Sequence, residues 1–277
     1  MIRIIKSAAV PAVLGGNGVT QTKLLTDAYE ADPPKYTSAP GVKNRLITRM
    51  IIDPEIYGDS DIKTLLISDQ NGKCCFCESS FLETSYGDVE HFRPKLAYKK
   101  SGSKSFVYPG YYWLAYEWSN LLFSCEKCNR TYKQNKFPLN DEATRKPYHN
   151  HANLLTNEDR LLIDPTIEDP AIFMTFNEEV PKPVNNSLKG LKTIEILNLE
   201  RLNDTRQKYL QLLEGLLLFR NIDTEDKITS AMHAMSLTRQ QVVHKVAEAE
   251  LLYNTAAKDS AKFALCVRSK FPHLPRI

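Results

Sequence analysis

The chain has 277 residues, of which 42% are hydrophobic and 25% are charged, and its net charge is +3. This balance is typical of a globular protein that buries a core without disulfides, and no apolar run approaches the length of a membrane-spanning helix. The apolar stretch near the N-terminus is short and broken by Pro11, which disfavours a signal peptide, so we expect a cytoplasmic protein with no membrane partner.

The first part of the chain is rich in Gly, Pro, Ser and Thr, which predicts an N-terminal arm over residues 1–42. One short helix is expected in this arm near residues 20–30. Residues 43–71 predict two short helices. In the second, from Asp61 to Gln70, apolar residues recur at helical spacing, and the Asn71-Gly72 pair is expected to end it.

The C-terminal part predicts a loop-rich segment followed by helices. We expect a strand pair around LLIDP and IFMTF, because both stretches are apolar and bounded by turn residues. From Ser187 onward apolar residues recur at helical spacing, and a long last helix is expected over residues 238–268. The predicted division is therefore the arm, a core with its preceding helices over residues 43–146, and a C-terminal region over residues 147–277.

Two cysteine pairs share the C-x-x-C spacing of zinc knuckles, and 47 residues separate them. Four thiolates close the shell of a tetrahedral ion and leave no position for water, so the spacing predicts a structural zinc site. Its ligands would be Cys74, Cys77, Cys125 and Cys128. Cys75 is expected to point elsewhere, because a register that uses it would break the spacing. The interval between the knuckles exceeds that of a plain zinc ribbon and must hold a folded element.

The positive charge is concentrated in one segment. Residues 91–146 hold eleven Lys and Arg against four Asp and Glu, a local charge of +7, which is the pattern expected of a surface that meets phosphates. The same segment holds 12 of the 26 aromatic residues. We expect these rings mainly to pack the module against the rest of the chain, although exposed rings can also stack on bases.

Three motifs follow one another in and after the interval between the knuckles: DVEHFRPK at residues 88–95, WSN at 118–120, and LLFSCEKCNRTYKQNKFP. In this order they resemble HNH endonucleases of the ββα-metal type with a four-cysteine zinc site. The resemblance covers roughly residues 74–138. It implies an α+β, mostly helical protein whose ββα core is flanked by the arm and a helical C-terminal region. It also implies metal-dependent hydrolysis of phosphodiester bonds, with DNA as the expected substrate.

The resemblance assigns roles to individual residues. His91 is the expected base, because a neutral imidazole can take a proton from water. Glu90 and the side-chain oxygen of Asn129 are the expected ligands of a hard cation such as Mg²⁺, and Asn120 is expected to orient His91 through the loop. Strand alternation puts Asp88 on the same face as Glu90, so either carboxylate is open as the main acidic ligand.

Three cations near these residues are candidate phosphate contacts: Arg93, Lys95, and Lys133 one helical turn after Asn129. The sequence departs from the family pattern at two positions. The acidic ligand position more often holds Asp or His where this chain has Glu90. The last position holds Asn129 where many members have His, which weakens the preference for soft metals such as Zn²⁺ or Ni²⁺.

Four stretches narrow the resemblance: MIRIIK, DVEHFRPK, LLIDPTIEDP and GLKTIEILNLERLNDTR. Together they resemble one HNH subfamily, the PtuB-like nucleases of Septu anti-phage systems, which also accompany some retrons. The resemblance implies a protein partner, an ATPase of the ABC/SMC-like class (PtuA-like), and an activity held in check until infection. The arm and the last helix are the candidate contacts for that partner.

Two alternatives stay open at this level. The same site could act on RNA such as tRNA, because HNH sites recognise phosphate geometry more than the sugar. A zinc-stapled module that binds nucleic acid or protein without catalysis would need the cysteines and the basic surface but not His91. The cleavage preference, the stoichiometry with the partner and the trigger of activity do not follow from the sequence.

Overall fold

The computed structural model describes residues 1–39, 43 and 46–276, without the side chains of 151–154. Residues 40–42, at the end of the predicted arm, residues 44–45, at the start of the predicted segment 43–71, and residue 277 lie outside the described residues. The chain divides into two compact units, the first of Met1–Met174 with Pro183–Asn198 and the second of Thr175–Lys182 with Leu199–Ile277. The predicted division into arm, core and C-terminal region stays a prediction.

The first unit opens with short helices whose ends are set by local sequence. A wide-turned helix, Leu14–Gly18, is followed by α1 (Val19–Ala31), α2 (Pro33–Tyr36), α3 (Pro54–Tyr57) and α4 (Ser60–Asp69). The side chains of Asp32, Asp53 and Asp59 each accept a hydrogen bond from a backbone N–H at the start of α2, α3 or α4. Asn71 and Gly72 end α4 with φ of 53° and 68°. The predicted helices near residues 20–30 and over Asp61 to Gln70 are confirmed.

The centre of the first unit is a ββα arrangement. β1 (Asp88–His91) pairs antiparallel with β2 (Leu121–Ser124), with His91 opposite Leu121. A wide-turned helix, Lys127–Lys133, follows β2 and is called the knuckle helix below. Gln70 at the end of α4 holds β2, since its side-chain amide donates to the Phe123 carbonyl at 2.7 Å and accepts from the Phe123 N–H at 2.8 Å. The predicted fold class, with a ββα core and a four-cysteine cluster, is confirmed.

Aromatic side chains surround this centre. Tyr111 and Tyr112 are fully buried, and the Tyr111 ring lies edge-on to Phe137 at 5.5 Å. Phe92, directly after β1, packs edge-on against Phe137 at 5.6 Å. These contacts confirm that the rings of the basic segment pack the module. The intervening chain forms short helical turns at Tyr112–Leu114, Trp118–Asn120, Glu142–Thr144, His149–Asn157, Pro170–Ile172 and Val184–Asn186.

The predicted pairing of LLIDP with IFMTF is wrong. β3 (Met174–Asn177) pairs instead with β4 (Val180–Pro183), which follows after two turn residues. LLIDP lies buried against other parts of the first unit: the Leu161 N–H donates to the Pro138 carbonyl, and the Ile163 N–H donates to the Thr193 hydroxyl of α5 (Leu188–Ile196). A local hairpin closes a shorter loop than the predicted pair would.

The second unit is helical, and α6 packs against α8. Its helices are α6 (Asn203–Arg220), α7 (Glu225–Met235), α8 (Arg239–Thr255) and α9 (Ala264–Lys270), with a short turn at Leu199–Leu202. The predicted single helix over residues 238–268 is wrong, because α8 ends at Thr255 and α9 begins at Ala264. Arg268 holds the connecting segment, donating to the Ala257 carbonyl at 2.8 Å and to Asp259 at 2.6 Å.

Among the described residues, the structure has no helix with both the length and the apolar character needed to cross a bilayer.

Candidate functional site

The four predicted zinc ligands meet in the structure. The sulfur atoms of Cys74, Cys77, Cys125 and Cys128 lie within 4.8 Å of one another, and in the described part of the chain this is the one such cluster suited to a metal. The sulfurs of Cys77 and Cys125 are 3.9 Å apart. Zinc–sulfur bonds of about 2.3 Å in a tetrahedron put sulfurs about 3.8 Å apart, so the donor set fits zinc. Cys75 is buried and lies outside the cluster.

The cluster lies between β2 and the start of the knuckle helix. The second knuckle begins at Cys125, directly after β2, and its Cys128 N–H points at the Cys125 sulfur at 3.5 Å. The first knuckle lies along β2, because the Cys75 N–H donates to the Phe123 carbonyl at 3.0 Å. An ion in the cluster would therefore fix where the knuckle helix starts relative to the strands.

His91 ends β1 and is held in one orientation. Its Nε2 lies 2.8 Å from the Ala115 carbonyl, which can only accept, so Nε2 carries the proton and Nδ1 carries the lone pair. The Lys95 ammonium lies 3.1 Å from Nδ1, and the Tyr57 ring meets the imidazole edge-on at 4.7 Å. Burial, and then the charge of Lys95, lower the pKa of His91 well below its usual range. The imidazole is therefore neutral at neutral pH.

Asn120 ties together the loops around His91. Its side-chain oxygen accepts from the Arg93 N–H at 2.8 Å, and its amide donates to the Arg93 and Leu114 carbonyls at 3.1 Å each. Leu114 precedes Ala115, whose carbonyl holds Nε2 of His91. Asn120 therefore reaches the imidazole through the short stretch of backbone that positions it.

Glu90 and Lys133 form a buried ion pair behind the strand. The Lys133 side chain is fully buried, and its ammonium donates to Glu90 Oε1 and, at 2.9 Å, to the His91 carbonyl. Burial raises the pKa of the Glu90 carboxyl, and the charge of Lys133 opposes that rise. Lys133 therefore lies on Glu90 rather than at the surface, and its predicted phosphate contact stays a prediction.

Asp88 is engaged by two groups of the knuckle helix. Its carboxylate accepts from exposed Arg130 at 2.5 and 2.9 Å and from the Asn129 amide at 3.1 Å. The Asn129 amide nitrogen is thereby turned toward Asp88. The choice between Asp88 and Glu90 as the acidic ligand stays open.

Of the predicted site residues, Glu90, His91, Lys95 and Asn129 line one cleft of about 280 Å³, whereas Asn120 is buried behind it. Glu90 Oε2 and Asn129 Oδ1 have no hydrogen-bond partner among the described residues. A carboxylate and an amide oxygen are hard ligands, and Mg²⁺ commonly keeps several waters beside one or two such protein ligands. The donors present in the cleft fit such a cation.

Arg93 does not reach the cleft. Its guanidinium donates to Glu158 at 2.8 Å, and the same carboxylate accepts from the Tyr111 hydroxyl at 2.5 Å. Arg93 is 9% exposed and the Glu158 side chain is fully buried, so this pair stabilises the turn after β1. Of the three predicted phosphate contacts, the structure places Lys95 in the cleft.

Sequence reasoning missed two residues that shape the site. Tyr57 on α3 contacts His91, and the Lys95 ammonium lies 4.3 Å from the centre of its ring. Lys6 donates to the Trp118 carbonyl and, at 2.7 Å, to the Leu121 carbonyl, on both sides of Asn120. No local motif marks either residue, because both act on groups that are distant in sequence. The placement of Lys6 within MIRIIK was the one available signal.

The chain is similar to several curated bacterial proteins. A Septu protein PtuB from Bacillus mycoides (strain KBAB4) is 39% identical over 228 residues, which cover 78% of this chain and 72% of that protein. A Septu protein PtuB from Bacillus thuringiensis is 28% identical over 62% of this chain and 52% of that protein. A protein of Escherichia coli named as the putative HNH endonuclease of retron Ec83 is 28% identical over 54% of this chain and 64% of its own length. No family model and no solved structure matches the chain.

Proposed function

The chain belongs to the PtuB family, and from this premise we propose that it is a metal-dependent HNH nuclease that hydrolyses phosphodiester bonds in DNA. One observation carries the proposal. The neutral imidazole of His91 has its proton on Nε2, held by a carbonyl, and its lone pair on Nδ1, in a cleft shared with Glu90 and Asn129. A base, two hard oxygen donors and a cation, Lys95, thus line one cleft that is large enough to admit a phosphodiester.

In the proposed reaction, Nδ1 of His91 takes a proton from a water whose oxygen attacks phosphorus. The P–O bond to the leaving sugar oxygen breaks, and that oxygen takes up a proton from solvent. A divalent cation held by Glu90 and Asn129 would stabilise charge on the phosphate and the leaving oxygen. Asn120, acting through the Leu114–Ala115 backbone, keeps Nδ1 pointed at the water.

Lys95 has a second part in this proposal. Its ammonium lies where the attacking water must sit, 3.1 Å from Nδ1. An entering phosphate offers Lys95 a stronger partner than a neutral imidazole does. Substrate binding would then draw Lys95 away from Nδ1 and open the base to water.

The test is His91→Ala, compared with His233→Ala as a matched control on the exposed face of α7. Loss of a general base typically costs about 10²- to 10⁴-fold in rate. We expect that loss on duplex DNA with Mg²⁺, with zinc content and the fold retained, and no loss for the control. If wild-type protein cleaves structured RNA and spares DNA, the substrate assignment is wrong. If it cleaves neither with any divalent metal, even with its partner, the non-catalytic module is the better account.

We also propose that the protein is the nuclease of a cytoplasmic anti-phage complex with an ABC/SMC-like ATPase (PtuA-like). The names of two relatives, both Septu proteins PtuB, support this. The second unit offers a surface for a partner, because Leu251 and Leu252 of α8 are 64% and 59% exposed. Copurification from the native operon, followed by phage plating with wild type and His91→Ala, tests the role. Equal protection by both proteins would contradict it.

A further inference from the structure

Most of the cations next to the catalytic residues are already neutralised. Arg93 pairs with Glu158, Lys133 with Glu90, and Arg130 with Asp88. Among the described residues that line the cleft, Lys95 is the one cation without a carboxylate partner. A polynucleotide carries one phosphate per nucleotide, so the phosphates on either side of the scissile one need other cations.

Such cations line a second depression in the first unit, called the lysine groove here. Its volume is about 310 Å³, and its wall contains Lys99, Lys100, Lys136 and Lys192, together with the polar turn Ser101–Ser103. Lys192 pairs with Glu195 at 2.7 Å, the one acidic residue of the wall. The other three lysines have no carboxylate within ion-pair distance among the described residues, so the groove carries an unneutralised charge of three lysines.

The lysine groove continues the wall of the catalytic cleft. Leu96 and Asn135 line the cleft, and Asn135 donates to the Ala97 carbonyl at 2.7 Å. The Lys99 N–H donates to the Asn135 carbonyl at 2.8 Å, and Lys136 follows Asn135 in sequence. The two hydrogen-bonded segments 96–100 and 135–136 therefore line the cleft with their first residues and the lysine groove with the residues that follow.

We propose that the lysine groove binds the sugar–phosphate backbone of the substrate on one side of the scissile phosphate. The proposal rests on the nuclease function above and adds a binding surface to it. Charge alone would equally suit an acidic protein segment. The continuity with the cleft favours nucleic acid, because a strand whose phosphate lies at His91 must leave the cleft along one of its walls.

The experiment uses the full chain with Lys99, Lys100 and Lys136 replaced by Gln. The matched control replaces Lys182, Lys208 and Lys245 by Gln, three exposed lysines of the second unit with no ion pair among the described residues. Binding of a fluorescein-labelled DNA duplex is measured by anisotropy over a range of salt, in Ca²⁺ to prevent cleavage. Hydrolysis of bis(p-nitrophenyl) phosphate, which is small enough to occupy the cleft alone, is measured in parallel with Mg²⁺ in place of Ca²⁺.

We expect the groove variant to bind duplex about 10- to 1,000-fold more weakly. The slope of log affinity against log salt should shrink by roughly 0.9 for each phosphate that the variant no longer neutralises. Hydrolysis of the small diester should be unchanged, and replacement of the same lysines by Arg should restore duplex binding. Wild-type affinity and slope in the Gln variant, or an equal weakening in the control, would overturn the proposal. If the Gln variant binds duplex like wild type but no longer copurifies with the ATPase, the groove binds an acidic protein segment instead.

The two proposals fail in different ways. If wild type hydrolyses neither duplex nor small diester with any divalent metal, even with its partner present, the nuclease function fails, whatever the anisotropy shows. If wild type hydrolyses both and the groove variant is identical to it, the nuclease function stands and the groove assignment is wrong.

Discussion

The four-cysteine cluster and the catalytic cleft are built on the same two strands, but their polar groups are satisfied in different ways. The four sulfurs face one another within 4.8 Å, and a single tetrahedral ion would complete them. In the cleft, the Lys133 ammonium is paired with Glu90 and the Lys95 ammonium contacts the neutral His91 imidazole, while Glu90 Oε2 and Asn129 Oδ1 have no hydrogen-bond partner among the described residues. An ion would complete the cluster, whereas under the proposed function the cleft would exchange its internal partners for substrate.

This difference assigns the two regions to different tasks. A closed thiolate shell supplies folding free energy and does not change during a reaction. Internal ion pairs keep buried charges compensated until a cation and a phosphate arrive, because an unpaired buried charge is costly. Stability should therefore depend most on the cluster, and pH dependence on the cleft.

The largest expected effect is loss of the cluster. Cys128→Ser removes one of four thiolates, and structural zinc supplies about 10–16 kcal/mol in small zinc-dependent folds. We expect the variant to lose its zinc and the strands Asp88–His91 and Leu121–Ser124 to lose protection from hydrogen exchange. Elemental analysis and exchange mass spectrometry measure both quantities.

Cys75→Ala is the control for this experiment, since Cys75 is buried beside the cluster without belonging to it. It should keep a full equivalent of zinc and unfold close to wild type. A Cys128→Ser protein with wild-type zinc and unfolding would remove the contrast between the two regions.

The next effect tests the buried pair of the cleft. Lys133→Met leaves Glu90 buried without its partner, and breaking such a pair costs about 3–5 kcal/mol. Urea unfolding should show this decrease in the free energy of unfolding, and the double variant with Glu90→Gln should recover part of it. Lys136→Met, at a half-exposed site three residues along, should change stability by no more than about 0.5 kcal/mol. Equal, small effects at both lysines would mean that the pair does not hold the cleft.

What the sequence could predict follows the same contrast. The cysteine cluster could be predicted because two C-x-x-C spacings define both the ligands and the geometry. The motif order likewise brought Glu90, His91 and Asn129 to one cleft. The partners of Arg93 and Lys133 could not be predicted, since Glu158 lies 65 positions from Arg93 and Glu90 lies 43 from Lys133. Spacing shows which residues share a helix face, but not which buried carboxylate a cation will meet.

The same limit applied to the fold. The short helices and the Asn-Gly end of α4 could be predicted because each signal is local. The partner of the IFMTF strand could not be predicted, because both LLIDP and VPKP are candidates. The two-residue turn that begins at Glu178 brings VPKP alongside the strand. The break after Thr255 depends on Arg268, which bonds the Ala257 carbonyl from 11 residues away.

A smaller effect concerns the positioning of His91. Asn120→Ala removes three buried hydrogen bonds, and Lys6→Met removes two on either side of the same residue. We expect kcat to fall about 10- to 100-fold in Asn120→Ala and less in Lys6→Met, with KM little changed, because the base is misplaced while the phosphate contacts remain. Asn140→Ala, at an exposed asparagine bonded to Asp159, is the control. A rise in KM alone would argue against a positioning role.

The smallest effect is a shift in pH dependence, and it tests whether cleft charges tune the base. His91 must be unprotonated to act, so the acid limb of kcat/KM follows its pKa, which burial and then Lys95 hold well below the usual range. Lys95→Gln removes that positive charge, so the pKa of His91 should rise and the acid limb should move to higher pH.

The alkaline limb follows Lys95 itself. Burial lowers the pKa of Lys95 to about 8, so wild type should lose activity above that pH as the ammonium that contacts phosphate is neutralised. The Lys95→Gln variant should not show this loss. Lys63→Gln, on the neighbouring wall, should leave both limbs in place. An unchanged acid limb in Lys95→Gln would mean that burial alone sets the protonation of His91 and that the charge of Lys95 does not tune the base.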